Sequence, residues 1–369
     1  MVRYLVHSLA DIWVEPTVRR HVRAGIEFQI GHFRTDDLVA PTPSDASRIR
    51  FLSYGAFVER PPVHFHNARG EPGRCLHVPD SRYAIEVTAN GFAVFSDTCE
   101  TMVNLIIQLA ALGRGVTLLH AAGWVDSGGR ATLLSGPGGV GKTALVSAGV
   151  LRHGVSVLGD DLILVGDKAQ ALSFPRAFVL KPYHRSQFPK QFPVGRQRQR
   201  TWLGPLMRFA QENVPFRGLL RNWARSSGRL EATSLWMQHG FTGPELFPVT
   251  VVDLFGRDKV ASFGTVTRVI YLERHDGPKF EREDLPLDRL VARSLAVLQH
   301  EWVDFGRWFN QMAALDLFSL TDYMHLFEAA IRSACGTAER AVVRVPASTS
   351  PEELEAWFHR EFGFVDRAR

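Results

Sequence analysis

Between Arg130 and Val165 the chain reads RATLLSGPGGVGKTALVSAGVLRHGVSVLGDDLILV, and no other stretch restricts the possible folds as much. Its first residues, Ala131 to Ser135, are a β-branched and leucine-rich run of the kind that forms a buried strand. Gly136-Pro137-Gly138-Gly139-Val140-Gly141-Lys142-Thr143 follows, ahead of Ala144, and fits the pattern G-x-x-x-x-G-K-[ST]. The glycines let the backbone curl until successive N–H groups point inward at an anion. A helix starting near Lys142 adds the positive end of its dipole. Lys142 can reach outer phosphates as a point charge, and the Thr143 hydroxyl is placed to ligate Mg²⁺. The plainer reading is an ordinary glycine-rich turn, but a full match between a strand pattern and a helix pattern favours nucleotide binding. The expected ligands are therefore ATP, or another nucleoside triphosphate, and Mg²⁺.

The helix should end at Arg152-His153-Gly154, a basic last turn before a C′ glycine. A second strand, Val155 to Leu158, then delivers Gly159-Asp160-Asp161. Two adjacent carboxylates can divide the labour of phosphoryl transfer, one holding the metal and the other accepting a proton from an attacking hydroxyl. Sequence leaves the division open, with a lean towards Asp160 on the metal and Asp161 as base. We expect the strand to lie beside the loop strand, its end in the crevice where ligands collect in open α/β sheets. A solvated turn is the competing reading.

At these residues the chain resembles the HPr kinase family, whose members share a phosphate loop, one helix and a Gly/Ala-Asp-Asp strand end. More distantly it is similar to phosphoenolpyruvate carboxykinases. Leu118-Leu119-His120-Ala121-Ala122-Gly123-Trp124-Val125-Asp126 resembles the family's histidine-containing strand, and a turn at Asp126-Ser127-Gly128-Gly129 would return it beside the loop strand. Alone, His120 would more often be a core histidine; the resemblance implies a place at the reacting phosphoryl group. Phe174-Pro175-Arg176-Ala177-Phe178-Val179-Leu180-Lys181 and the strand Val266 to Arg274 are similar to segments of smaller HPr-kinase-related proteins. Arg176 and Lys181 are thus candidates for acceptor or phosphate contact. The glycine-rich Arg-Gly-Leu-Gly-Ile-Ile-Asn-Val type of run found in true HPr kinases has no counterpart, so phosphorolysis and a hexamer do not carry over. What the resemblance implies is a divergent ATP-dependent kinase acting on a serine of a protein or a ribosomally made peptide. A small-molecule hydroxyl is the alternative acceptor, and a nucleotide-hydrolysing regulatory switch the alternative class.

The chain has 369 residues, 45% of them hydrophobic, enough for one large core or two ordinary ones. Three scattered cysteines, Cys75, Cys99 and Cys335, make neither a disulfide framework nor a zinc cluster. No secretory pattern opens the sequence and no apolar run reaches the roughly 20 residues of a membrane span, so a cytoplasmic protein without membrane contact is expected.

The expected fold is α/β: a β-rich N-terminal module (1–98) on a P-loop kinase core (99–369) of mixed sheet and flanking helices. Tyr83 to Phe95 reads as a hairpin about Asn90-Gly91, with Gly25–Ile30 and Arg48–Val58 as further strands. Ser96 or Asp97 would cap a helix from Thr98 to Leu112 with one apolar face. His64, His66 and His77 lack convincing ligand spacing. From about 182 to 245 a basic helical insertion is expected, in which Arg196, Arg198 and Arg200 alternate with glutamines and Arg217, Arg221 and Arg225 fall at helical spacing. It reads as a substrate lid or a solvated basic surface; a nucleic-acid footprint is disfavoured, since the net charge of +5 does not extend it. Strands are expected at Val249–Leu254, Val260–Phe263 and Val266–Leu272, then helices, an edge strand Arg340–Val345, and a closing helix capped by Ser350-Pro351-Glu352-Glu353. Oligomerisation remains open.

Overall fold

The first sheet is built from short strands that are mostly buried. The computed structural model describes residues 1–39, 41–58, 75–78, 82–97, 102–180, 187–191, 247–301 and 303–365. Strands β1 (Val2–Val6), β2 (Ala10–Val14), β3 (Arg34–Thr35), β4 (Ser47–Leu52), β5 (Cys75–Val78), β6 (Tyr83–Thr88) and β7 (Gly91–Ser96) form one mixed sheet in the order β3-β1-β2-β4-β7-β6-β5. The expected hairpin is present, with Thr88 opposite Gly91 across a turn at Ala89-Asn90. Two expectations fail. Gly25–Ile30 lies in helix α1 (Arg20–Ile30), not in a strand. Ile26, Phe28 and Ile30 alternate locally, but Val22, Ile26 and Ile30 repeat every four residues, and the buried set follows that longer period. Arg48–Val58 is strand only to Leu52, where its pairing with Phe95 ends; helix α2 (Tyr54–Val58) follows.

Helix α3 (Met102–Leu112) is buried on every side rather than on one face. It touches α1 and β2 on one side and β8 (Thr117–Leu119) on the other. Its polar side chains bond to neighbouring segments within the core. Asn104 donates to Gln29 Oε1 at 3.0 Å, and the Gln108 amide bridges Thr117 Oγ1 at 2.7 Å and Leu118 N at 2.6 Å. Asp97 accepts from Arg82 Nη2 at 2.6 Å and from Tyr54 N at 3.3 Å, and the turn that Ser96 or Asp97 is expected to cap lies outside the described residues. One core therefore runs from Ile12, Ile26 and Phe51 through Leu105 and Ile106 to Leu118, Leu164 and Ile331.

The second sheet has nine strands. β9 (Ala121–Val125), β10 (Arg130–Ser135), β11 (Ser156–Gly159), β12 (Ile163–Gly166), β13 (Gln170–Leu172) and β8 join β16 (Phe263–His275) in the order β11-β9-β10-β16-β13-β12-β8. β16 is 13 residues long and is shared. Beside β10 on one edge, it pairs on the other with β13 through its first residues and with β18 (Glu339–Pro346) through its last. β17 (Glu281–Asp284) lies outside β18, so the expected edge strand near Arg340 is interior. The expected strand at Val249–Leu254 is helix α5 (Val251–Phe255) from Val251 on, and Val260 makes only an isolated bridge to Val157.

Helix α4 (Lys142–Arg152) packs on β9 and β11. Helices α6 (Leu287–Glu301), α7 (Val303–Ala314) and α8 (Leu320–Cys335) follow β17. Helix α9 (Pro351–Glu361) opens on the expected capping box, with Pro351 in its first turn, and packs on α4. Met1–Arg176 with Val251–Arg369 make one compact unit. Ala177–Thr250 make a second, in which β14 (Phe178–Leu180) pairs with β15 (Phe247–Val249). Lys181, His64, His66 and the arginines from Arg196 to Arg225 lie outside the described residues. Among the described residues no helix is long and apolar enough to cross a membrane.

Candidate active site

Two strand pairs that look separate are one bent ladder. Residues 117–125 and 156–166 run antiparallel, Leu119 opposite Ile163 in one half and Gly123 opposite Gly159 in the other, and both strands break at the middle. The break in one strand is His120; in the other it is Asp160-Asp161-Leu162. Across it Ala121 N donates to Asp161 O at 3.1 Å, while Ala121 also pairs with Ser135, the last residue of β10. Ser135, Ala121 and Asp161 thus form one row. Gly136 follows the first, His120 precedes the second and Asp160 precedes the third. The sequence-based expectation that the Asp strand adjoins the loop strand is corrected: β9 lies between β10 and β11. Because β9 is antiparallel to both, β10 and β11 run towards the same end of the sheet, and His120 falls between the loop and the carboxylates.

Local geometry explains the residue types. Gly136 has φ +130° and a Cβ there would stand 2.2 Å from the Leu272 carbonyl, so only glycine lets the loop leave the sheet. Gly159 admits no side chain either, because its Cβ would meet Leu162 O at 2.4 Å. The chain then kinks through Asp161 at φ +77°. A non-glycine residue held in the left-handed region is uncommon, and such strain clusters at functional positions.

Lys142 is 6% exposed and its Nζ donates to Gly136 O at 2.5 Å and to Pro137 O at 2.9 Å, the carbonyls of its own loop. The Thr143 hydroxyl lies 3.0 Å from each Asp160 oxygen. Burial, and then the charge of Asp161, push the Asp160 carboxyl up to about 7, against the opposing pull of Thr143, Lys142 and Arg176. Asp161 is half-exposed, and Arg176 Nη1 approaches its Oδ2 at 3.4 Å. Burial lowers the Arg176 pKa and the two carboxylates partly restore it. His120 is 4% exposed and its carbonyl accepts from Ser135 Oγ at 3.2 Å. The expected Lys142, Thr143, Asp160, Asp161, His120 and Arg176 therefore meet at one end of the sheet.

Among the described residues no group of three or more His, Cys, Asp or Glu side chains could hold a metal by itself. Asp160 and Thr143 do offer two hard oxygen donors side by side. That donor set fits magnesium, which keeps several waters and takes phosphate oxygens for the rest of its shell.

Three supports were not legible in sequence, because each is a contact between distant segments. Phe28 of α1 lies under the Arg176 guanidinium, 5.9 Å from ring centre to Cζ. His7 Nε2 is 2.8 Å from Ser173 O, tying the first hairpin to the segment that carries Arg176. Leu354 of α9 packs on the loop, its Cδ2 2.4 Å from where a Cβ on Gly141 would stand. Leu354→Ala is expected to cost about 2–5 kcal/mol of stability. If about 1.4 kcal/mol of that falls on the loop, any affinity the loop has for MgATP drops roughly tenfold. Calorimetric titration of the variant checks this; a destabilised protein with wild-type nucleotide affinity would show that the helix braces the fold and not the loop.

No family model matches the chain, and no curated protein matches its sequence. Among solved structures it is similar to the HPr(Ser) kinase/phosphatase from Coxiella burnetii, at 12% identity and a TM-score of 0.26, over 66% of this chain and 96% of that one.

Proposed function

We propose that this chain is a magnesium-dependent kinase that moves the γ-phosphoryl group of ATP to a hydroxyl, that of a serine in a protein or a ribosomally made peptide. The observation that supports this reading most is the row Ser135–Ala121–Asp161, which gathers the glycine loop, His120 and the Asp pair at one sheet end. The loop N–H groups and the α4 N-terminus would receive the phosphates. Lys142 would exchange the Gly136 and Pro137 carbonyls for phosphate oxygens. Thr143 and Asp160 would hold a magnesium ion, which when bound neutralises charge across the β- and γ-phosphates. Asp161, the more exposed carboxylate, would take the acceptor's hydroxyl proton as the new O–P bond forms and the bond to the leaving ADP oxygen breaks. His120 would hydrogen-bond the moving phosphoryl group, and Arg176 would balance charge on the acceptor side.

The test is incubation with MgATP and a peptide extract, followed by mass spectrometry. Serine-containing peptides heavier by one phosphoryl group, formed only with magnesium and only by a protein with intact Lys142, are expected. Phosphate appearing on free metabolites instead would move the acceptor to a small-molecule hydroxyl. ATP hydrolysis at a rate indifferent to every added acceptor would overturn the kinase reading in favour of a switch.

A further inference from the structure

The turn residues of the first sheet build a second concave site. An open groove of about 940 Å³ lies between the loop leading into β4, the β6–β7 turn and the C-terminal end of α3. That volume is in the range of ligand sites and far exceeds what a lone inorganic anion fills. Its floor is apolar: Val87, Phe92 and Leu109 line it and are packed on the core. Its rim carries Arg48 and Arg114 against the single acid Asp45. Among the described residues neither guanidinium has a carboxylate partner, whereas Arg50, two positions along β4, is paired with Glu15. Unpaired arginines above an apolar floor match a ligand that brings both carboxylates and a hydrophobic side chain.

The position of the groove connects it to the chemistry. Ser47 N donates to Leu9 O at 3.0 Å and Arg48 N to Asn90 O at 2.8 Å, so the groove opens where the β1–β2 turn ends. His7 of that same turn is the residue bonded to Ser173 O, three positions before Arg176. We propose that the groove docks an acidic, hydrophobically anchored peptide segment of the phosphate acceptor, held by Arg48 and Arg114 away from the serine that is modified. This rests on the kinase reading. Nucleic acid fits less well: two cations, an acid and an apolar floor make a poor track for a phosphate backbone.

The experiment uses the full chain and a fluorescein-labelled decapeptide of Glu, Asp, Leu and Phe around one serine. A counterpart with Gln and Asn at the acidic positions is the comparison. The acidic peptide should bind the wild type about tenfold tighter than the neutral one, and the Arg48→Glu/Arg114→Glu double variant should lose that preference. Arg289→Glu, an exposed charge on α6 outside the groove, should keep it. Equal binding of both peptides, or the same loss in Arg289→Glu, overturns the proposal. So does tighter binding of an oligothymidine, or displacement of the peptide by free glutamate at comparable concentration. MgATP affinity is measured alongside. A protein that binds nucleotide and transfers phosphate but ignores the peptide loses the groove alone; one that docks the peptide and never phosphorylates any acceptor loses the kinase reading alone.

Discussion

Asp161→Asn is expected to bind MgATP as tightly as the wild type and to transfer phosphate about a thousandfold more slowly, the scale of a lost general base. Asparagine is the right substitution because residue 161 sits at φ +77°, which Asn adopts at lower cost than alanine. Alanine would mix backbone strain with lost chemistry. The amide also keeps an oxygen for Arg176 Nη1, now 3.4 Å from Oδ2, so the buried guanidinium keeps a polar neighbour as well as the Asp160 charge. Asp160→Asn differs in kind: it keeps shape beside Thr143 but removes a charged donor, so its defect should ease as magnesium is raised, whereas that of Asp161→Asn should not. Single-turnover transfer across a magnesium series, with nucleotide affinity measured separately, distinguishes the two. Transfer by Asp161→Asn within threefold of wild type would remove Asp161 from the role of base.

Much of this candidate site is legible in the sequence because its parts are short and local. A strand, an eight-residue loop, a helix and a kinked strand end lie within Arg130–Val165, and each has its own residue signature. What could not be read was the order of strands. Nothing in the residues of β11 says that it pairs with β9 rather than β10, yet that pairing places His120 between the loop and the carboxylates. The same limit hid α1, where a six-residue window alternates like a strand while the eleven-residue helix follows its four-residue spacing. It hid β18 as an interior strand as well, since β17, which covers it, is four mostly exposed charged residues with no strand-like apolar pattern. Phe28, His7 and Leu354 carry no local mark of their contacts with the site.

The first sheet should be vulnerable to a single substitution at a place remote from the candidate site. Arg3 and Asp11 meet diagonally across β1 and β2 with no side-chain exposure, joined by two bonds of 2.8 and 2.9 Å, and the Thr42 hydroxyl donates to the same carboxylate. Burial alone would raise the Asp11 pKa; the bonds from Arg3 and Thr42 and the charge of Arg3 outweigh it and hold the group below its ordinary value. The pair's contribution is therefore complete above about pH 4 and is lost as pH falls through the depressed folded value. Arg3→Met leaves a carboxylate buried without its cation, a change that costs about 3–5 kcal/mol. For a unit of this size that lowers Tm by roughly 5–8 °C. The deficit should narrow on acidification, because the stranded Asp11 takes up a proton sooner than the paired one. Arg3→Met/Asp11→Leu should recover most of the loss, since an apolar pair of similar volume removes the uncompensated charge. Thermal unfolding of the three proteins at neutral and acid pH checks all of this. A double variant as unstable as Arg3→Met would mean that the arginine works through its packing on Trp13, 4.8 Å away, and not through its charge.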